Sequence, residues 1–365
     1  MERPMNDPQS QTQAGFDVSA PVRLAVVGAG LVGRQHIDAI AAAPCATLAA
    51  VADPSPAART LARSYGAAFY DSIDGVLQGD VDGVVLATPN ALHRAGAEAA
   101  VGAGVPVLVE KPLAGSLSDG EAMVEAAARA GVALLTGHHR RHNPKIAAAK
   151  AAIEAGAIGR PVAAHATLWL MKPDDYFDVA WRREPGGGPI LINLVHEVDT
   201  LRHLVGDVAA VTARTRSSVR NFAVEDTAAV IIEFVGGALG TLNLCDATPA
   251  PWSWELTAGE NPAYPVTRET SGMIAGTEGA IAIPSATLWR TTGPKSWRSP
   301  ISATAAHVAQ GDTLQRQIAD FAAVIRTRQA PLVSGADGLA TLRVVDAISR
   351  SAQTGERVVV AQGTT

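Results

Sequence analysis

Short apolar runs recur along the first third of the chain, and each stops abruptly at a turn or a charged residue. Val22–Val27 leads into Gly28-Ala29-Gly30-Leu31-Val32-Gly33, and residues 48–52 end on Asp53. Residues 81–87 end at Thr88-Pro89-Asn90, residues 105–109 at Glu110-Lys111-Pro112, and residues 132–136 at Gly137. Continuous apolar runs of this length, bounded by turn residues, predict strands buried on both faces of a parallel sheet. Segments with helical spacing separate them: one after Gly33, then 57–65, 73–78, 92–103 and 118–130, with a short strand at Phe69-Tyr70. Strand and helix in alternation predict a doubly wound α/β sheet. Ligands of such sheets lie at the carboxyl ends of the strands. The segments 28–33, 88–90 and 110–112 all fall there, so they are expected to converge on one crevice.

After about residue 138 the periodicity changes. Residues 162–170, 209–217, 228–234 and 238–246 form long alternating runs, which predict an open, antiparallel or mixed sheet. Helical segments are expected at 145–155, 193–205, 314–326 and 335–351. This predicts a doubly wound domain over 21–137 and an α+β domain for substrate binding and oligomerisation over 138–365. Residues 1–20 are polar, lack an apolar core and read as a mobile extension rather than a signal peptide.

Composition narrows the function classes. The chain has 365 residues, natural for two domains, and 47% of them are hydrophobic. The net charge is −5 and no basic block appears, which argues against nucleic acid as partner. No run approaches 18 apolar residues, so no membrane span is expected. Cys45 and Cys245 are far apart in sequence and predict neither a disulfide framework nor a zinc site, which fits a cytoplasmic location.

The first glycine segment carries the strongest chemical signal. A strand, the pattern GxGxxG, a helix, a second strand and an acid 20 residues past the last glycine follow in order. Gly28 suits a tight turn, Gly30 the close approach of a pyrophosphate, and Gly33 the packing of helix on strand. The helix N-terminus offers unpaired N–H groups to the phosphates. Asp53 can accept from adenosine ribose hydroxyls and would repel a 2′-phosphate, which favours NAD over NADP. Arg34 and Arg59 are close enough in sequence to leave NADP open.

Two residues carry candidate chemistry at the crevice. Lys111 follows an apolar strand and precedes a proline, so its ammonium is expected to be partly desolvated and able to stabilise an alkoxide. A surface lysine in a turn fits the spacing equally well. Downstream, Gly186-Gly187-Gly188-Pro189 opens a helix on which Asn193, His196 and Thr200 share a face, with Asp199 a possible neighbour of His196. A neutral histidine there can act as a general base, although a lone histidine is more commonly structural. His138, His139 and His142 lack a completing carboxylate or cysteine, so no metal is expected and a basic hinge lining the cleft is preferred. The stretch from Trp252 to Tyr264 holds three aromatic residues in a chain with 4% aromatics and suits either a sugar ring or an oligomer interface.

Taken in order, these motifs resemble the Gfo/Idh/MocA oxidoreductases. The matches are the glycine segment with His36, Asp53, Thr88-Pro89-Asn90 with His93, Glu110-Lys111-Pro112, Arg140-Arg141-His142-Asn143-Pro144, Trp181-Arg182, and the triple glycine with His196. They span about residues 20–350. The resemblance implies a Rossmann domain, a second domain on an open sheet that forms a homodimer or homotetramer, and NAD(P)-linked oxidation of a secondary alcohol on a sugar, polyol or related ring. It makes Lys111 and His196 the catalytic pair. It places the cofactor on Gly28, Gly30, Leu31, Val32, Gly33 and Asp53, with Thr88, Pro89, Asn90, His93, Glu110 and Lys111 beyond. It places the substrate on Lys111, Arg141, Trp181, Asn193 and His196. Inositol dehydrogenase-like members carry an aspartate where this chain has Ile192, which weighs against an inositol-type polyol. Two other readings remain at this point: retained NAD supporting elimination or glycoside cleavage through transient oxidation, and a non-catalytic NAD(P)-sensing regulator.

Overall fold

The computed structural model describes residues 20–361; the extension expected over 1–20 lies almost entirely outside them. In chain order the first part runs β1 (Val22–Val27), α1 (Leu31–Ala42), β2 (Ala46–Ala52), α2 (Pro56–Ser64), β3 (Ala68–Tyr70) and α3 (Ile73–Leu77). It continues with β4 (Gly83–Leu86), α4 (His93–Gly102), β5 (Val107–Val109), α5 (Leu117–Ala130) and β6 (Leu134–Thr136). The six strands pair in parallel in the order β3-β2-β1-β4-β5-β6. β1 and β4 are central, so their apolar side chains are covered on both faces. Helices cap as their sequences direct. Ser116 accepts from the Asp119 amide at the start of α5, and Gly131 closes that helix with φ of 63°.

The second part runs α6 (Pro144–Glu154), β7 (Pro161–Trp169), α7 (Val195–Val205), β8 (Val208–Arg216), β9 (Thr227–Phe234), β10 (Leu239–Cys245) and α8 (Trp254–Thr257). Then follow β11 (Gly272–Gly276), β12 (Ala280–Ile283), β13 (Thr287–Thr291), β14 (Ile301–Ala305), α9 (Thr313–Thr327), α10 (Gly335–Thr354) and β15 (Val358–Val359). Nine strands pair in the order β14-β13-β12-β11-β7-β10-β9-β8-β15, antiparallel except for β10 with β7. Strands β11 to β15 escape a periodicity reading because they are short and carry no clean alternation. One face of this sheet packs on α6, α7 and α10. The other exposes Ile231, Leu239, Met273 and Trp289.

The last two long helices correct the expected domain division. Ile318, Phe321 and Ile325 of α9 lie in one core with Leu24, Ile37 and Ile40 of the first sheet and α1. In α10, Leu339 and Leu342 join the first domain's core, while Val344, Val345 and Ile348 join the second's. Residues 138–365 are therefore not one body. The chain returns to complete the first domain, because α9's apolar stripe covers the face of the sheet next to α1.

Candidate active site

The glycine turn joins β1 to α1 at the carboxyl edge of the first sheet. Gly28 has φ of 95°, and a Cβ there would stand 2.5 Å from the Ala87 carbonyl oxygen. A Cβ on Gly33 would stand 1.8 Å from the Gly28 carbonyl oxygen, so no side chain fits. Gly30 instead faces open space. Helix α1 has no side-chain cap and no acid in its first turn, which leaves its leading N–H groups for an anion. Leu31 and Val32 are 79% and 40% exposed at that helix start, and Leu92 is 54% exposed on the neighbouring edge. The Thr88 hydroxyl is buried without a partner. An open glycine, free helix N–H groups, uncovered apolar side chains and an orphaned hydroxyl along one strand edge fit a dinucleotide. Asp53 anchors the turn itself: its carboxylate accepts from the amides of Ala29 and Ser55, both at 2.8 Å. Arg34 is turned back onto the Ala29 carbonyl and Arg59 lies over the Phe69 ring, 4.8 Å from its centroid.

Lys111 follows β5 and His196 lies in the first turn of α7, and both line the same cavity of about 530 Å³. Lys111 Nζ donates to the carbonyl of Ile192 at 3.1 Å. That carbonyl belongs to a π-helical turn, Ile190–Leu194, leading into α7. The residue whose side chain departs from the inositol dehydrogenase-like pattern thus contributes through its backbone. Burial lowers the lysine's pKa, and the Glu110 carboxylate opposes the shift. Glu110 is itself buried. Its Oε1 lies 2.7 Å from His36 Nε2 and its Oε2 accepts from the Lys111 amide. Burial alone would raise its pKa, but His36 and Lys111 bring it down to about 2. Its carboxylate is engaged by protein groups, and it acts on Lys111 from behind. His196 is buried except at the cavity. Burial, then the positive charges of Lys111 and Arg140, push its pKa well below 6.5, which keeps the imidazole neutral. The ring of His139 meets it edge-on, with centroids 5.2 Å apart.

Several expected site residues lie elsewhere. His93 is 0% exposed; its Nδ1 lies 3.0 Å from the Pro112 carbonyl oxygen and its Nε2 2.9 Å from that of Thr88, and the nitrogen that carries the proton donates to the carbonyl it faces. It staples two strand-end loops, with both ring nitrogens turned to the protein. Arg141 is turned to carboxylates of the protein and does not line the cavity. It forms a two-pronged pair with Asp199, at 2.9 and 2.8 Å, and reaches Asp337 at 3.1 Å. Asp199 accordingly faces Arg141 and His138, not His196. Burial would raise its pKa, but His138 and Arg141 hold it far below the usual carboxylate range. Trp181 is 51% exposed in a 3-10 turn and does not line the cavity. Asn193 sits in the π turn with a buried, unpartnered Oδ1, and Thr200 points to a small separate pocket beside Glu197 and Leu201. The π turn breaks the α-helical spacing on which a shared face depended. Of the three junction histidines, His139 reaches the cavity, His138 is buried near Asp199, and burial lowers His142 to about 3. Among the described residues no group of three such side chains is gathered for a metal.

The loop from Trp252 to Tyr264 supplies the cavity's far wall. Trp254, Glu255, Glu260, Asn261, Pro262 and Tyr264 line it. Arg140 ties this wall to α7, donating to Glu197 at 2.5 Å and Glu255 at 2.9 Å. Arg140 stood out only as part of the basic junction segment, and Glu197 was given no role. Their partners are 57 and 115 residues from Arg140, so no local signal could join them.

The profile described as an oxidoreductase family with an NAD-binding Rossmann fold matches residues 22–138, and the GFO/IDH/MocA C-terminal domain matches residues 146–282. The 1,5-anhydro-D-fructose reductase of Ensifer adhaerens is 31% identical over 78% of this chain and 81% of its own length. The D-apiose dehydrogenase of Rhizobium rhizogenes is 30% identical over 92% of this chain and 96% of its own. Among solved structures, the WlbA dehydrogenase of Bordetella pertussis in complex with NADH and UDP-GlcNAcA superposes with a TM-score of 0.75 at 29% identity, covering 94% of this chain and 100% of that one.

Proposed function

The chain belongs to the Gfo/Idh/MocA family of NAD-dependent oxidoreductases, and on that premise we propose that it oxidises a secondary alcohol on a sugar, polyol or related ring. One observation carries this reading: a desolvated lysine and a neutral histidine face one cavity beside a helix N-terminus without a side-chain cap and an open glycine. His196 takes the hydroxyl proton, which its depressed pKa leaves it free to accept at neutral pH. Lys111 donates a hydrogen bond to the same oxygen and stabilises the charge that develops as the proton leaves. Its bond to the Ile192 carbonyl fixes the direction of that ammonium, while the Glu110 carboxylate holds the Lys111 backbone amide. When bound, NAD accepts the hydride from the carbon, which becomes a carbonyl.

The 2′-phosphate of NADP would meet the Asp53 carboxylate, so NAD is the proposed cofactor. The proposal extends to assembly. Exposed Ile231, Leu239, Met273 and Trp289 on the open sheet face suit a second copy of the chain, as a homodimer or homotetramer.

Lys111→Met and His196→Ala should each lower kcat by about 10²–10⁴ on a sugar or polyol that reduces NAD, with NADH affinity changed less than about threefold. NADH absorbance gives the rate and NADH fluorescence the affinity. A variant that keeps more than a tenth of the wild-type kcat refutes its assigned role.

A further inference from the structure

The charges around the cavity constrain what can enter it. Five carboxylates line it, those of Asp38, Glu110, Glu255, Glu260 and Asp312. Against them stand the full cations Lys111 and Arg140. Arg140 is only 4% exposed: one Nη serves Glu197 and the other Glu255, and its Nε, which has no partner, is closed off from solvent. Lys111 is committed to the reacting oxygen. His139 lies 3.7 Å from Glu260, so any charge it takes is matched there. Meanwhile the acidic groups keep acceptor capacity. Glu255 Oε2 is buried without a partner. Glu260 accepts from Asn143 at 3.0 Å and Trp254 at 2.7 Å; burial would raise its pKa, but His139 and then the bonds from Thr313 and Trp254 keep it far below the usual carboxylate range. Asp312 gives one oxygen to the Gln315 amide.

We infer that the substrate carries no carboxylate or phosphate: uncharged and amine-bearing sugars or cyclic polyols are accepted, and sugar acids and sugar phosphates are rejected. An anionic group would lose its hydration inside a cavity with no uncommitted cation and several carboxylates within reach. A hydroxyl or ammonium meets unused acceptors instead. This inference rests on the reading of Lys111 and His196 given above. It sets this chain apart from the WlbA relative, whose structure holds UDP-GlcNAcA.

Matched ligands that share one ring test it. For gluco, galacto and inositol rings, kcat/KM is measured for the parent, the amino-deoxy compound, the acid (for the two aldoses) and the phosphate. The best uncharged or amino compound should exceed its acid and phosphate by at least about tenfold, about 1.4 kcal/mol. Glu255→Gln removes one carboxylate charge from the wall and leaves the Arg140 charge less balanced, so it should raise the acid-to-parent ratio at least about fivefold, while Glu255→Asp keeps the charge and leaves the ratio unchanged. An acid or phosphate oxidised as well as its parent overturns the inference and leaves the active-site reading intact, and so does a ratio that Glu255→Gln does not move. If NADH binds but no compound is oxidised, the active-site reading falls and takes the inference with it.

Discussion

Arg141 separates a structural from a substrate-binding role. Its guanidinium joins the junction segment to α7 through Asp199 and to α10 through Asp337, and Thr341 adds a bond of 3.0 Å to the same Asp199 oxygen that Arg141 holds. Arg141 is 6% exposed and Asp199 1%. Arg141→Met keeps the apolar stem of the side chain and removes the charge, leaving a buried carboxylate without its ion-pair partner, beside Thr341 and His138. Breaking a buried pair on one side costs about 3–5 kcal/mol. The desolvation of the orphaned partner supplies most of that loss, so Arg141→Met combined with Asp199→Asn should recover part of it. Denaturant unfolding of the three variants measures the cycle. There is also a pH signature. The folded pKa of Asp199 is depressed, so its contribution is present above the unfolded pKa and lost as pH falls through the acid range. Arg141→Met should flatten the acid limb of the stability curve. KM for a working substrate should change less than about threefold. A loss below about 1 kcal/mol together with a tenfold rise in KM would refute this account and return Arg141 to the substrate.

Two further outcomes are expected. Burial lowers His138 and His203 to about 4 and His142 to about 3, so unfolding takes up protons on them as pH falls below 6.5. A lowered histidine stabilises above its unfolded pKa and loses that stability as pH falls toward its folded one; at roughly 1.4 kcal/mol per pH unit for each proton, three histidines give about 4, reduced by Glu197, whose pKa burial raises to about 7. Denaturation midpoints that stay flat from pH 6.5 to 4.5 would contradict this. On the open sheet face, Ile231→Glu with Met273→Glu should reduce the mass seen by light scattering to that of a single chain, and a monomeric wild type would rule the interface out.

Most strands and long helices of the first domain were legible because buried parallel strands leave continuous apolar runs and helices leave a 3.6-residue period. The late strands were not, since β11 to β14 are short, and part of their surface faces outward. The glycine turn was legible down to its chemistry, because the needs of a tight turn and a close helix are local. The contacts of His93 and Arg141 were not legible, for the opposite reason. Each sits in a family-like motif, but its partners, Thr88 with Pro112 and Asp199 with Asp337, are set by packing across elements. The Trp252–Tyr264 stretch suited ring or interface alike until the fold brought it opposite Lys111.

The sequence by itself determined that a dinucleotide turn, a strand-end lysine and a helix histidine exist in this chain, since each is encoded within a few neighbouring residues. Only the tertiary structure decided which charges meet. Arg140 reaches Glu255 across 115 positions, α9 returns to close the first domain, and a carbonyl at Ile192 holds the lysine. Electrostatics in a buried cavity depends on distance in space, and separation along the chain carries no record of it.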